Sequence, residues 1–139
     1  MCSPAAGAPA SRLLRENMRK KILIADDDPE VRDFFSDILG EAGYETACCE
    51  KGGEVEKTIA GFHPDLLLLD AMLPGVDGLT LARRITGNPA TEDLPIIVVT
   101  GLGSAVAAFG KFPQVKALMH KPVPNEELLD NIGKAMKPG

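Results

Sequence analysis

No apolar run in this chain approaches the roughly 20 residues needed to span a membrane. The first residues are small and proline-rich where a secretory signal would carry an apolar stretch. Neither a membrane association nor an export signal is therefore expected. There is no block of Lys or Arg and the net charge is −5, so the footprint of a nucleic-acid-binding surface is missing. Cysteine is scarce and odd in number: Cys2, Cys48 and Cys49. Neighbours such as the last two bridge only with strain, which leads us to expect free thiols and a reducing, cytoplasmic setting. Histidine is limited to His63 and His120. His63 reads as a turn residue, and His120 has no evident second ligand, so it reads as a bystander.

What is present is ordinary in amount and unusual in arrangement. A chain of 139 residues, 45% hydrophobic and 25% charged, is long enough to bury one proper core. Four short apolar runs each end on a residue able to handle a phosphoryl group. Ile22–Ala25 leads into Asp26-Asp27-Asp28, Leu66–Leu69 into Asp70, Ile96–Val99 into Thr100, and Ala117–Met119 into His120-Lys121-Pro122. Such runs read as strands buried on both faces of a parallel sheet covered by helices. Ligands bind at the carboxyl edge of sheets of this kind, so these side chains are expected to converge there.

Residues 1–18 show no periodicity and read as a disordered leader or linker, with a helical turn allowed near Leu13 and Leu14. Residues 19–137 read as the folded domain. Asp28 is placed to cap a helix opened by Pro29, with Val31, Phe34, Phe35, Ile38 and Leu39 at helical spacing and Gly43 closing it. Tyr44–Cys48 reads as a strand, Gly53–Ala60 as a helix with Val55 and Ile59 on one face, and Leu79–Thr86 as a helix. Gly101–Val115 is a poor helix, interrupted by Gly110 and Pro113. The last helix is expected over Asn125–Met136, capped by Asn125. Strand and helix alternate, which implies right-handed crossovers and a three-layer α/β sandwich.

An isolated strand-end Asp usually caps the next turn. Asp70 is different because three other strand ends bring complementary groups. A carboxylate can act as nucleophile and carry a phosphoryl group as an acyl phosphate, a transfer that needs chiefly positioning and charge neutralisation. Carboxylates at Asp26 and Asp27 would repel Asp70 unless a cation were present. Mg²⁺ suits the set, since it takes one or two carboxylates, waters and a phosphate oxygen; a backbone carbonyl just after Asp70 could complete the shell. The Thr100 hydroxyl and the Lys121 ammonium are donors for phosphoryl oxygens, and a cis peptide at Lys121-Pro122 would suit an inward-facing Lys. Pro74, Gly75 and Gly78 mark a loop curling under Asp70.

The chain resembles the response-regulator receiver domains of two-component signalling. The matching stretches are Ile22–Pro29, Pro64–Asp70, Leu73–Gly78, Pro95–Thr100 and Lys121-Pro122, within about Met18 to Met136. The resemblance implies a flavodoxin-like fold with a five-stranded parallel sheet in the order 2-1-3-4-5. It also implies phosphorylation of Asp70 by a histidine kinase or phosphotransfer domain, a Mg²⁺ ion held by Asp26, Asp27, Asp70 and the Met72 carbonyl, phosphoryl contacts from Thr100 and Lys121, and an unnamed downstream protein partner. Three positions depart from the family pattern: Leu118 stands where an aromatic residue is usual, Gly101 where Ala is usual, and Phe112-Pro113 replaces a Gly-Ala turn. All three fall on the output side.

Two other readings compete. Haloacid-dehalogenase-like phosphatases also use a strand-end Asp and Mg²⁺, but their second acid falls here at Met72, leaving no general acid. A phosphorylation-independent interaction module of the same fold is disfavoured by the complete set Asp26, Asp27, Asp70, Thr100 and Lys121. Nothing follows the last helix, so a DNA-binding output domain is not expected in this chain.

Overall fold

The computed structural model of the chain describes residues 20–101 and 108–136. The expected leader at 1–18, including Leu13 and Leu14, lies outside them. Five strands, β1 (Lys21–Ala25), β2 (Glu45–Cys49), β3 (Leu66–Asp70), β4 (Ile96–Thr100) and β5 (Val115–His120), form one parallel sheet in the order β2-β1-β3-β4-β5. The helices are α1 (Pro29–Glu41), α2 (Gly52–Phe62), α3 (Gly78–Gly87) and α4 (Asn125–Ala135). The flavodoxin-like order expected from the resemblance is the one observed.

Period-two alternation divides the apolar strands between two cores. Ile22, Ile24, Leu66, Leu68, Ile97 and Val99 face α1 and α4, meeting Phe35, Leu39, Leu128 and Ile132. Leu23, Ala25, Leu67, Leu69, Ile96 and Val98 face α2 and α3, meeting Val55, Ile59, Leu81 and Ile85. Each fully buried aliphatic side chain contributes about 1.5–3 kcal/mol, so β1, β3 and β4 anchor the fold and fix where their last residues stand.

Some boundaries and contacts differ from the sequence reading. β5 is not buried on both faces: it is an edge strand, with Lys116, Leu118 and His120 exposed, and its register against β4 slips between Ile96 and Ile97. Asn125 does not cap α4; Pro124 holds the cap position without a side-chain bond, and Asn125 is already helical. Asp28 does cap α1, accepting from the Glu30 amide at 2.9 Å. His63 is the turn residue expected, closing α2 at φ 55°. Of the weak helix at Gly101–Val115, residues 102–107 lie outside the described residues; the rest is a 3₁₀ turn at 108–111, a further turn and the start of β5. Phe109 from that turn is buried in the core shared with α2 and α3. Cys49 is a free, buried thiol. Cys48 corrects the free-thiol expectation: it is half-buried and disulfide-bonded. No described helix is long and apolar enough to cross a membrane.

Candidate functional site

Because the strands are parallel, their last residues lie along one edge. Asp26 follows β1, Asp70 ends β3 and Thr100 ends β4; Lys121 follows β5, and its amide donates to the Thr100 carbonyl at 2.9 Å. All five expected side chains are thus brought to this edge. Asp26, Asp70 and Thr100 are 2%, 5% and 0% exposed, whereas Asp27 is exposed.

The Lys121 ammonium joins the two buried acids, with Nζ 2.9 Å from Asp26 Oδ2 and 3.2 Å from Asp70 Oδ2. The second oxygens are held by backbone: the Asp28 amide donates to Asp26 Oδ1 and the Met72 amide to Asp70 Oδ1, both at 2.9 Å. Burial raises the Asp26 carboxyl above the usual carboxylate range; Asp70 adds to that rise, while the Asp28 amide and Lys121 oppose it. Burial disfavours the charge on Lys121, but the hydrogen bonds and charges of Asp26 and Asp70 outweigh it and raise its pKa. The ammonium is therefore a permanent cation at neutral pH. The Lys121-Pro122 peptide is cis.

Asp26, Asp27 and Asp70 each offer a carboxylate oxygen, all within 4.8 Å of one another. Three hard oxygen donors, two of them buried beside one lysine, form an electron-rich pocket that fits a hard divalent cation. Met72, two residues after Asp70, is 53% exposed. His120 is exposed and takes no part in the acidic cluster.

The loop after Asp70 is held against its neighbours by two close approaches. A Cβ on Gly78 would lie 2.9 Å from the Ala71 Cα, so only glycine lets α3 start there, and its amide reaches the Ala71 carbonyl at 3.2 Å. A Cβ on Gly52 would collide with the Val76 carbonyl oxygen, and the Gly52 amide donates to the Pro74 carbonyl at 2.9 Å. Sequence reasoning began that helix at Gly53 and missed this role; a Gly-Gly pair opening a helix was the available signal. Arg32 was also missed. It lies in the first turn of α1 and donates to the Asp26 carbonyl at 2.8 Å.

Known proteins share the sequence pattern and the fold. Residues 22–133 match the family model of the response regulator receiver domain. The phosphate regulon transcriptional regulatory protein PhoB of Pseudomonas aeruginosa is 43% identical over 84 residues, covering 60% of this chain and 37% of that protein. The DNA-binding dual master transcriptional regulator RpaA of Synechocystis is 34% identical over 113 residues, covering 81% and 47%. The chain thus spans less than half the length of either relative. Among solved structures, the BeF3-activated N-terminal receiver domain of Klebsiella pneumoniae RstA superposes with a TM-score of 0.76 at 32% identity, covering 85% of this chain and 99% of that one. A CheY-like response regulator receiver domain protein from Methanospirillum hungatei gives 0.77 at 30% identity, covering 84% and 93%.

Proposed function

The chain belongs to the response regulator receiver domain family of two-component signalling, and from that premise we propose that Asp70 accepts a phosphoryl group from the phosphohistidine of a histidine kinase or phosphotransfer domain, in the cytoplasm. The observation that carries this reading is the bridge from Lys121 to both Asp26 and Asp70, a cation already stationed where a phosphoryl group would arrive. In the reaction an Asp70 carboxylate oxygen bonds to phosphorus, the P–N bond to the donor histidine breaks, and the imidazole leaves with the electron pair. The backbone amide of Met72 orders the carboxylate for attack.

Asp26, Asp27, Asp70 and the Met72 carbonyl would hold Mg²⁺. When bound, it supplies the positive charge that offsets the crowded carboxylates and the phosphoryl oxygens. Lys121 then turns from Asp70 toward a phosphoryl oxygen, and the Thr100 hydroxyl donates to another. The domain thus promotes its own phosphorylation and dephosphorylation, and it acts as a signalling switch with no separate substrate to turn over. The downstream partner reads the change on a face where Leu118, 37% exposed, provides neither hydroxyl nor ring. Intact mass after incubation with acetyl phosphate and Mg²⁺ tests the proposal. One added phosphoryl group is expected on the wild type, and none on Asp70→Asn or in excess chelator; labelling of Asp70→Asn would refute it.

A further inference from the structure

Asp26 and Asp27 are oriented by different means. The Asp26 carboxylate is fixed directly, by the Asp28 amide and Lys121. Asp27 is exposed, and no described residue hydrogen-bonds to its carboxylate or pairs with it. Its direction is therefore set by the backbone from which it departs, the peptide group joining Asp26 to Asp27. That group is held through its carbonyl, which accepts from Arg32 Nη1 at 2.8 Å. On the other side of residue 26, the Asp26 amide donates to the Cys49 carbonyl at 3.1 Å.

Arg32 is itself well held. Its side chain is 16% exposed, and Nη2 lies 3.4 Å from Glu50 Oε2 in the β2–α2 connection. A cation in the first turn of a helix opposes the macrodipole, so α1 alone gives no reason for Arg here. The planar guanidinium fork, which can serve two acceptors at fixed angles, does.

We propose that Arg32 is a positioning residue for the divalent cation: by clamping the Asp26–Asp27 peptide group to Glu50, it aims the unfixed Asp27 carboxylate into the acidic pocket. The inference rests on the metal reading given above. Arg32 is itself a positive charge near a cation site. If it acted by charge alone, removing it would tighten metal binding. If it only stabilised the fold, metal affinity would not change. A clamp predicts that removal weakens binding.

The test is Mn²⁺ titration of the full chain, read from the electron paramagnetic resonance signal of the free ion, with thermal melts by circular dichroism alongside. Wild type should bind, and Asp27→Asn should bind far less. Arg32→Met should weaken binding by about tenfold, the usual scale for groups that orient metal ligands, and Arg32→Lys should recover part of the loss by reaching the carbonyl alone. Glu50→Gln, which leaves Arg32 in place with a weaker anchor, should weaken binding by about threefold. It carries the test should Arg32→Met fail to fold. Unchanged or tighter binding in Arg32→Met, or in a folded Glu50→Gln if Arg32→Met is lost, overturns the clamp while leaving the metal site standing. Absence of binding by wild type, or full binding by Asp27→Asn, overturns the metal reading and the clamp with it.

Discussion

Replacing Lys121 by Met removes the cation between two buried carboxylates while keeping most of the side-chain volume. At an effective dielectric of about 20, a unit charge gains about 5.7 kcal/mol from a partner at 2.9 Å and about 5.2 kcal/mol from one at 3.2 Å. These gross figures overstate the loss, since burying the ammonium costs several kcal/mol. They are also capped, because the variant can protonate one acid instead of keeping both charged. From the ordinary carboxyl value of 3.8, holding Asp26 neutral at pH 7 costs 1.36 × (7 − 3.8), about 4.4 kcal/mol. The cap falls to about 1.6 kcal/mol at pH 5. Asp26 is then an acid whose folded pKa lies above its unfolded value, so the variant loses stability as pH rises from about 4 and regains it on acidification. Urea unfolding followed by far-ultraviolet circular dichroism is the suitable assay, because the chain has no Trp and one Tyr. The expected gap from wild type is about 3 kcal/mol at pH 7, no more than about 1.6 kcal/mol at pH 5, and smaller in excess Mg²⁺. A gap that is the same at both pH values and indifferent to Mg²⁺ would refute the reasoning.

Three other outcomes follow from the geometry. Gly52→Ala should cost about 1–3 kcal/mol and release the loop from Val76, seen as a lower urea midpoint; an unchanged midpoint would show that the close approach is not needed. Cys49, whose thiol burial pushes up to about 12, should resist iodoacetamide at neutral pH in the folded protein and react in urea, as peptide mass mapping would report. Asp77 caps α3 through the Thr80 amide at 2.8 Å, and that bond lowers its pKa. Its contribution is present above the ordinary value of 3.8 and lost as pH falls through the lower folded value, so Asp77→Ala should lower stability by about 1 kcal/mol at neutral pH and by less in acid.

The three apolar runs at Ile22, Leu66 and Ile96 were readable because strands buried on both faces leave no polar interruption, and each run's end announced its functional residue. β2, Glu45–Cys49, was displaced by one residue because a mixed sequence at a sheet edge has a weaker boundary. β5 was assigned two buried faces from Ala117–Met119, yet one of its faces is exposed, and only the sheet order reveals which strand stands at the edge. Lys121 could be named from its place before Pro122, but its bridge to both Asp26 and Asp70 joins three strand ends and has no local signature. Gly52 and Arg32 were passed over for a related reason. Each acts on a segment distant from the element that carries it or on backbone atoms, and side-chain periodicity reports neither.

The most direct measurement is borohydride reduction of the protein after treatment with acetyl phosphate and Mg²⁺, followed by peptide mapping. Reduction turns an acyl phosphate into an alcohol, so a phosphorylated aspartate is read as homoserine. The account predicts homoserine at position 70 alone, dependent on Mg²⁺. Homoserine at Asp26 or Asp27, or its absence at Asp70 in protein that has gained a phosphoryl group, would contradict it.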